Sequence, residues 1–326
     1  MVVWQWTPPG NPELWSVSWS PNGSYLAVGG NRAQNRSAFV LDSSNGSLVR
    51  SLDATDAVYA TYFSPNGQYL VASGNNFGTR VYETGNWTPV TQLENGGDAT
   101  DISWSPDGRY LSTVGPQAGG FNGRVTTFDA MSNFSPVAAL SKQFGGRPVF
   151  SVDWSSDSTR LAIGLENVNG QEAFIYDRAT GQEVRQFNCF SNCRQVRYGP
   201  DIRYLALGRS GQRFGDNDVD ALIWDTNQNY TGGGNPPRLS DYRAHNNGMA
   251  VNSLAYSPSG DAAATGGDDP NVDIWWSSNG TLAKRLASGE TRETRFTPDG
   301  TRIAAAEFNP NRVTVWGDNK APAVAS

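Results

Sequence analysis

The hexapeptide SWSPNG, Ser18 to Gly23, reads as the end of a strand running into a tight turn. Pro presets φ for the reversal and Gly accepts positive φ. The phrase then returns: TYFSPNG at 61–67, ISWSPDG at 102–108, VDWSSDS at 152–158, VRYGPDI at 196–202, LAYSPSG at 254–260 and TRFTPDG at 294–300. Aligned on the turn, one column is always aromatic: Trp19, Phe63, Trp104, Trp154, Tyr198, Tyr256 and Phe296. The repeats are spaced roughly 40 to 58 residues apart. Such a period points to one repeat architecture and not to the two ordinary domains that 326 residues would suggest.

A second strand follows each turn, as in YLAVGG and YLVASG, and a third ends on a bulky residue: Leu41, Tyr82, Phe128, Tyr176, Trp224, Trp275 or Trp316. Short fourth strands read LVRSL, PVTQL, PVAAL, EVRQF, RLSDY and LAKRL. Four strands per unit at this period predict an all-β, seven-bladed β-propeller of antiparallel blades. The last unit stops at RVTVWG without a fourth strand, while VVWQW at residues 2–6 has the pattern of one, with Val3 and Trp6 spaced like Val49 and Leu52. The N-terminal strand is therefore expected to complete the last blade and close the ring. That gives one domain over 1–317, with 318–326 as a loose tail.

These repeats resemble the WD-repeat family of propellers over nearly the whole chain. The best local match is HNNGMAVNSLAYSPSGDAAATGGDDPNVDIWW, where His245, Thr265, Asp269 and Trp275 fall at the family's structural His–Ser/Thr–Asp–Trp tetrad. The match implies a network that holds a blade together, and a binding role for the protein. The chain departs from the family pattern in lacking Gly-His dipeptides and in having Trp-Asp only at Trp224-Asp225, which makes it a divergent member.

Composition narrows the function. A formal charge of −6 and a pI near 4.9 argue against general adhesion to nucleic acid or anionic membranes. No run approaches the roughly 18 apolar residues of a membrane span. Met1 opens on strand-like sequence with no leader, which at face value reads as cytoplasmic. A Met standing in for a removed signal would look the same, and the sequons at Asn22, Asn35, Asn45, Asn86, Asn133, Asn229 and Asn279 suit an extracellular chain. Cys189 and Cys193, in a loop between blades, are either a small-loop disulfide or free thiols, depending on compartment.

Few residues suit catalysis. The sole histidine is occupied by the tetrad, no phosphate-binding Gly-Lys loop exists, and no cofactor is expected. A channel could assemble carboxylates from several blades, but no paired acids are visible along the chain. Asp216, Asp218 and Asp220 have the alternating spacing of a calcium loop, yet Ala221 stands where Gly is required and Asn227 where Glu is.

Variation concentrates in the second-to-third loops, such as GGNRAQNRS, GPQAGGFNGR and GRSGQRFGDNDVD, which share one face of the disc. Phe77, Phe121 and Phe308 each precede an arginine, respectively Arg80, Arg124 and Arg312. Phe190 and Phe214 hold comparable tips, and Arg32, Arg36, Arg147, Arg194 and Arg213 lie alongside. Aromatic residues and arginines concentrate binding energy at interfaces. Each Phe could equally plug the strand ends while each Arg pairs with an Asp. The expectation is a non-enzymatic scaffold presenting this face to a protein partner or to its own copies. The alternatives are an extracellular sugar-binding propeller, then a hydrolase or lyase using the channel, then an RNA-binding surface disfavoured by charge.

Overall fold

A computed structural model describes residues 1–33, 36–54, 56–75, 78–93, 98–116, 123–167, 170–189, 191–210, 221–226, 238–243 and 249–317. Seven separate sheets of antiparallel strands are formed, six of them following chain order and the seventh taking the N-terminal strand at its edge, so the molecule is a seven-bladed propeller. Blade one comprises Leu14–Trp19, Tyr25–Ala33, Arg36–Asp42 and Leu48–Leu52. The inner strands of blades two to seven are Val58–Phe63, Asp101–Trp104, Val149–Trp154, Asn192–Tyr198, Val251–Tyr256 and Glu290–Phe296. Val2–Trp6 lies antiparallel to Arg312–Gly317 and supplies the outer strand of blade seven. A register shift between Val2 and Trp4 changes which side chains of this strand point inward. Val3 is exposed, as Val49 and Val90 are in their outer strands, while Trp4 is buried and its indole donates to Ser43 O of blade one at 2.9 Å.

The repeated turn is a small hydrogen-bonded unit. In blade one Ser20 Oγ donates to Asn22 Oδ1 (2.7 Å) and accepts from Tyr25 N (2.9 Å). Gly23 N returns to Ser20 O at 2.8 Å, with Gly23 at φ +70°. Ser64 with Asn66, and Thr297 with Asp299, repeat the arrangement. Blade three departs at its outer edge. PVAAL does not form one strand: Ser135–Pro136 and Lys142–Gln143 pair separately with Gly123–Asp129. Pro136 has no N–H to offer a ladder, and Leu140 N and Ser141 N turn back to Val137 O, which drops Leu140 into the core.

Apolar clusters fill the wedges between blades, as where Leu14, Val17 and Val28 meet Ala304, Val313 and Val315 across the closing junction. Second-strand glycines permit this approach: a Cβ on Gly164 would stand 2.6 Å from Cys193 O. The inner strands raise a different problem. Each is the edge of its sheet, and edge N–H groups buried without partners are costly. Among the described residues, side-chain oxygens of the preceding blade accept from them at five of the seven junctions. Ser18 Oγ accepts from Phe63 N (3.2 Å), Ser103 Oγ from Trp154 N (3.2 Å), and Asp153 Oδ2 from Tyr198 N (2.7 Å). Ser151 Oγ accepts from Val196 N (3.2 Å), Ser253 Oγ from Thr294 N (2.7 Å), and Glu293 Oε2 from Val17 N (3.0 Å). The last of these spans the closure between blades seven and one.

Ser253→Ala strands the Thr294 amide without an acceptor. Chemical denaturation is expected to show a loss of about 1–3 kcal/mol, whereas Ser259→Ala in the exposed turn of the same blade changes stability by less than about 0.5 kcal/mol.

Candidate functional site: the channel mouth on the loop-bearing face

The residue four places before the aromatic column lies at the N-terminal end of each inner strand, on the face that carries the second-to-third loops. In chain order these residues are Trp15, Tyr59, Thr100, Phe150, Arg194, Asn252 and Arg292. All seven line one cavity of about 820 Å³ that opens on this face. Trp15 and Tyr59 meet edge to face with centroids 5.8 Å apart. The Arg194 guanidinium lies 5.4 Å from the Phe150 ring centroid, and that of Arg292 lies 5.5 Å from Trp15 and 4.6 Å from Phe308. Asp268 holds the far side of this rim, accepting from Asn252 Nδ2 at 2.7 Å and facing Arg292 Nη1 at 3.6 Å.

Below the mouth the channel wall is charged. Arg197 Nη1 donates to Asp101 Oδ2 (3.2 Å), Ser151 Oγ (2.9 Å) and Val196 O (2.8 Å). Arg295 pairs with Glu293 at 2.5 Å and stands 5.4 Å from the Tyr62 ring. Asp153 accepts from Ser103 Oγ (3.0 Å) as well as from Tyr198 N. Burial pushes the carboxyls of Asp153 and Glu293 up, against the opposing pull of Arg197 and Arg295. Burial alone would lower Arg197, but the neighbouring carboxylates, Asp101 first and then Asp153 and Glu293, push it up. Past this plug a second cavity of about 350 Å³ opens on the opposite face, among the aromatic column and the turn prolines. The channel thus brings together acids that are far apart in the chain.

The residues singled out from sequence divide. Arg194 is exposed and lines the mouth, and Phe308 packs against its rim beneath Arg292. Arg80 donates to Asp53 O (2.8 Å). Arg147 donates to Glu166 O (2.8 Å) and to Gln171 O. Arg312 pairs with Glu307 (3.0 Å). These three spend their guanidinium groups on neighbouring backbone or carboxylate. Arg32 is exposed at the end of its strand, Arg36 opens the third strand of blade one opposite Ala33, and Arg124 is half-buried in the third strand of blade three. Phe77, Phe121, Phe190, Arg213, Phe214, His245 and the trio Asp216, Asp218 and Asp220 lie outside the described residues.

Thr265, Asp269 and Trp275 are each fully buried; the Trp275 ring stacks on Tyr242 with centroids 4.8 Å apart, and its indole N–H meets no acceptor among the described residues. Cys189 and Cys193 are free thiols buried in the core between blades four and five, and Cys193 belongs to the inner strand. Burial and the adjoining Cys193 push the Cys189 thiol well up. Among the described residues no cluster of three or more His, Cys, Asp or Glu could hold a metal.

The family model for the WD domain, G-beta repeat, matches residues 4–37, 46–83 and 237–275. The propeller carries WD repeats. It is 28% identical over 141 residues to Cell division cycle 20.1, cofactor of APC complex, of Arabidopsis thaliana, covering 43% of this chain and 26% of that protein. Protein HIR1 of Candida albicans is 22% identical over 310 residues, 89% of this chain and 30% of its own length. The propeller therefore spans less than a third of either relative. Among solved structures, a Kuenenia stuttgartiensis hydrazine synthase chain superposes with a TM-score of 0.79 at 19% identity, covering 97% of this chain and 98% of that one. At that identity the likeness is one of fold.

The raised carboxyl of Asp153 gives a pH signature. A carboxyl whose folded value lies above its unfolded value stabilises at low pH and loses that contribution as pH rises through the folded value. Asp153→Asn removes this loss. Its stability relative to the parent protein, followed by thermal melts, is expected to improve steadily from pH 4 toward neutrality.

Proposed function

We propose that the propeller is a non-enzymatic protein-binding scaffold whose partner docks at the loop-bearing mouth of the channel. The observation that carries this reading is the make-up of the rim, where Trp15, Tyr59 and Phe150 stand beside Arg194 and Arg292 around one open cavity. Trp, Tyr and Arg dominate interface hot spots because each presents a large, stiff surface with a polar end. The rings and guanidiniums already brace one another, so little side-chain freedom is lost on docking. A relative named as a cofactor of a complex is consistent with such a role. The channel carboxylates favour it over catalysis, since Asp101 and Glu293 are ion-paired and Asp153 accepts two hydrogen bonds. The sugar-binding alternative draws little support, because Trp19, Trp104, Trp154, Trp224, Trp275 and Trp316 are all buried.

The double variant Trp15→Ala with Arg194→Ala tests the reading by affinity capture from the native source. Loss of the captured partner with a melting temperature within a few degrees of the parent is expected. Unchanged capture would remove the mouth as the binding site. In that case Phe121→Ala, between the second and third strands of blade three, with Arg124→Ala, within the third, asks whether another part of the molecule binds instead.

A further inference from the structure

The channel wall does not balance its charge. Asp101, Asp153 and Glu293 contribute three carboxylates, and Arg197 and Arg295 contribute two guanidiniums. The ion pairs are also oriented. Asp101 and Glu293, three residues before the aromatic column, line the wide chamber under the loop-bearing mouth. Arg197 and Arg295, one residue before that column, line the narrow chamber on the opposite face. The wide chamber therefore has a carboxylate floor beneath walls of aromatic rings and the guanidiniums of Arg194 and Arg292.

The two floor carboxylates differ in spare capacity. Asp101 is filled by Arg197, Ser151 Oγ, Val152 N and Ile102 N. Glu293 accepts from Val17 N on Oε2 and pairs with Arg295 through Oε1, so lone pairs remain on both oxygens. A buried excess of one negative charge is costly unless paired. At the rim, the charge of Arg292 is matched by Asp268, and Arg194 stands exposed over Phe150, where solvent and salt screen it.

We propose that the missing positive charge is brought by the partner. A single cationic side chain, the ammonium or guanidinium group of an extended segment, passes between Trp15, Tyr59 and Phe150 and rests on Glu293. The ring faces stabilise a desolvated cation on the way in, and the carboxylate receives it at the floor. Burial also pushes the carboxyls of Asp153 and Glu293 up, so each takes a proton more readily here than in water. This inference rests on the mouth being the partner-binding site and adds what that partner must carry.

The test uses the full chain and two acetylated, amidated tripeptides, Ala-Arg-Ala and its uncharged citrulline counterpart, followed by calorimetry. The arginine peptide is expected to bind about tenfold or more tighter, and Glu293→Gln to reduce it to the citrulline level. Equal affinities, or no binding of either peptide, overturn the proposal. Because Glu293→Gln also touches the closing junction, a second arm places the charge in the wall. Ala60, buried and lining the wide chamber, is replaced by Lys or by Met. The proposal requires Ala60→Lys to melt at or above Ala60→Met and to exclude the arginine peptide; a markedly lower melting temperature for the lysine variant contradicts it. The outcomes separate the two claims. Partner capture lost in Trp15→Ala with Arg194→Ala, combined with equal peptide affinities, removes the cation and leaves the docking site standing.

Discussion

The inner strands of this ring are sheet edges without a further strand to pair with, and everything else depends on how their amide groups are satisfied. Seven antiparallel sheets set radially put seven such edges around one channel. Small polar side chains of one blade accept from the edge amides of the next, always in the same sense around the ring: Ser18 to Phe63, Ser103 to Trp154, Asp153 to Tyr198, Ser253 to Thr294, Glu293 to Val17. The bonds fix the spacing and tilt of neighbouring blades where the apolar wedges are thinnest. They also explain why a channel-facing column carries Ser and Asp where a sheet interior would carry Val.

Where those columns depart from Ser, the channel acquires its charge. Arg197 stands in blade five at the place of Ser18 in blade one, and Asp101 and Glu293 stand in blades three and seven at the place of Ser16. The acids retain the stitching role, since Asp101 accepts from Val152 N and Glu293 from Val17 N, while each also holds an arginine. One set of residues thus closes the ring, divides the channel into two chambers and sets the polarity of each. The scaffold and the candidate binding site are not separable parts of this molecule.

Much of this was legible in the sequence, for identifiable reasons. The S-P-D/N-G turn and the aromatic column repeat because every blade needs the same reversal and the same plug, so seven blades and their closure by residues 2–6 could be counted. The outer strand of blade three could not be drawn correctly, because PVAAL has strand-like composition and only Pro136 hints at the break. The mouth was read only in part. Arg194 was singled out, while Trp15, Tyr59, Phe150 and Arg292 were missed. Their column lies four places before the aromatic one and faces the channel, where no packing constraint makes the blades alike. Its variation, from Trp to Thr to Arg, was itself the signal. The Phe-then-Arg motif was more conspicuous, yet Arg80 and Arg312 serve their own surroundings. The channel acids come from three blades, so only the folded ring brings them together.

Amide hydrogen exchange of the intact chain tests most directly whether side-chain acceptors satisfy the inner edges. The amides of Phe63, Trp154, Tyr198 and Thr294 should exchange as slowly as ladder amides of the second strands, although no strand pairs with them. Exchange of these four at the rate of exposed turn amides would contradict the account and leave the ring held by apolar wedges alone.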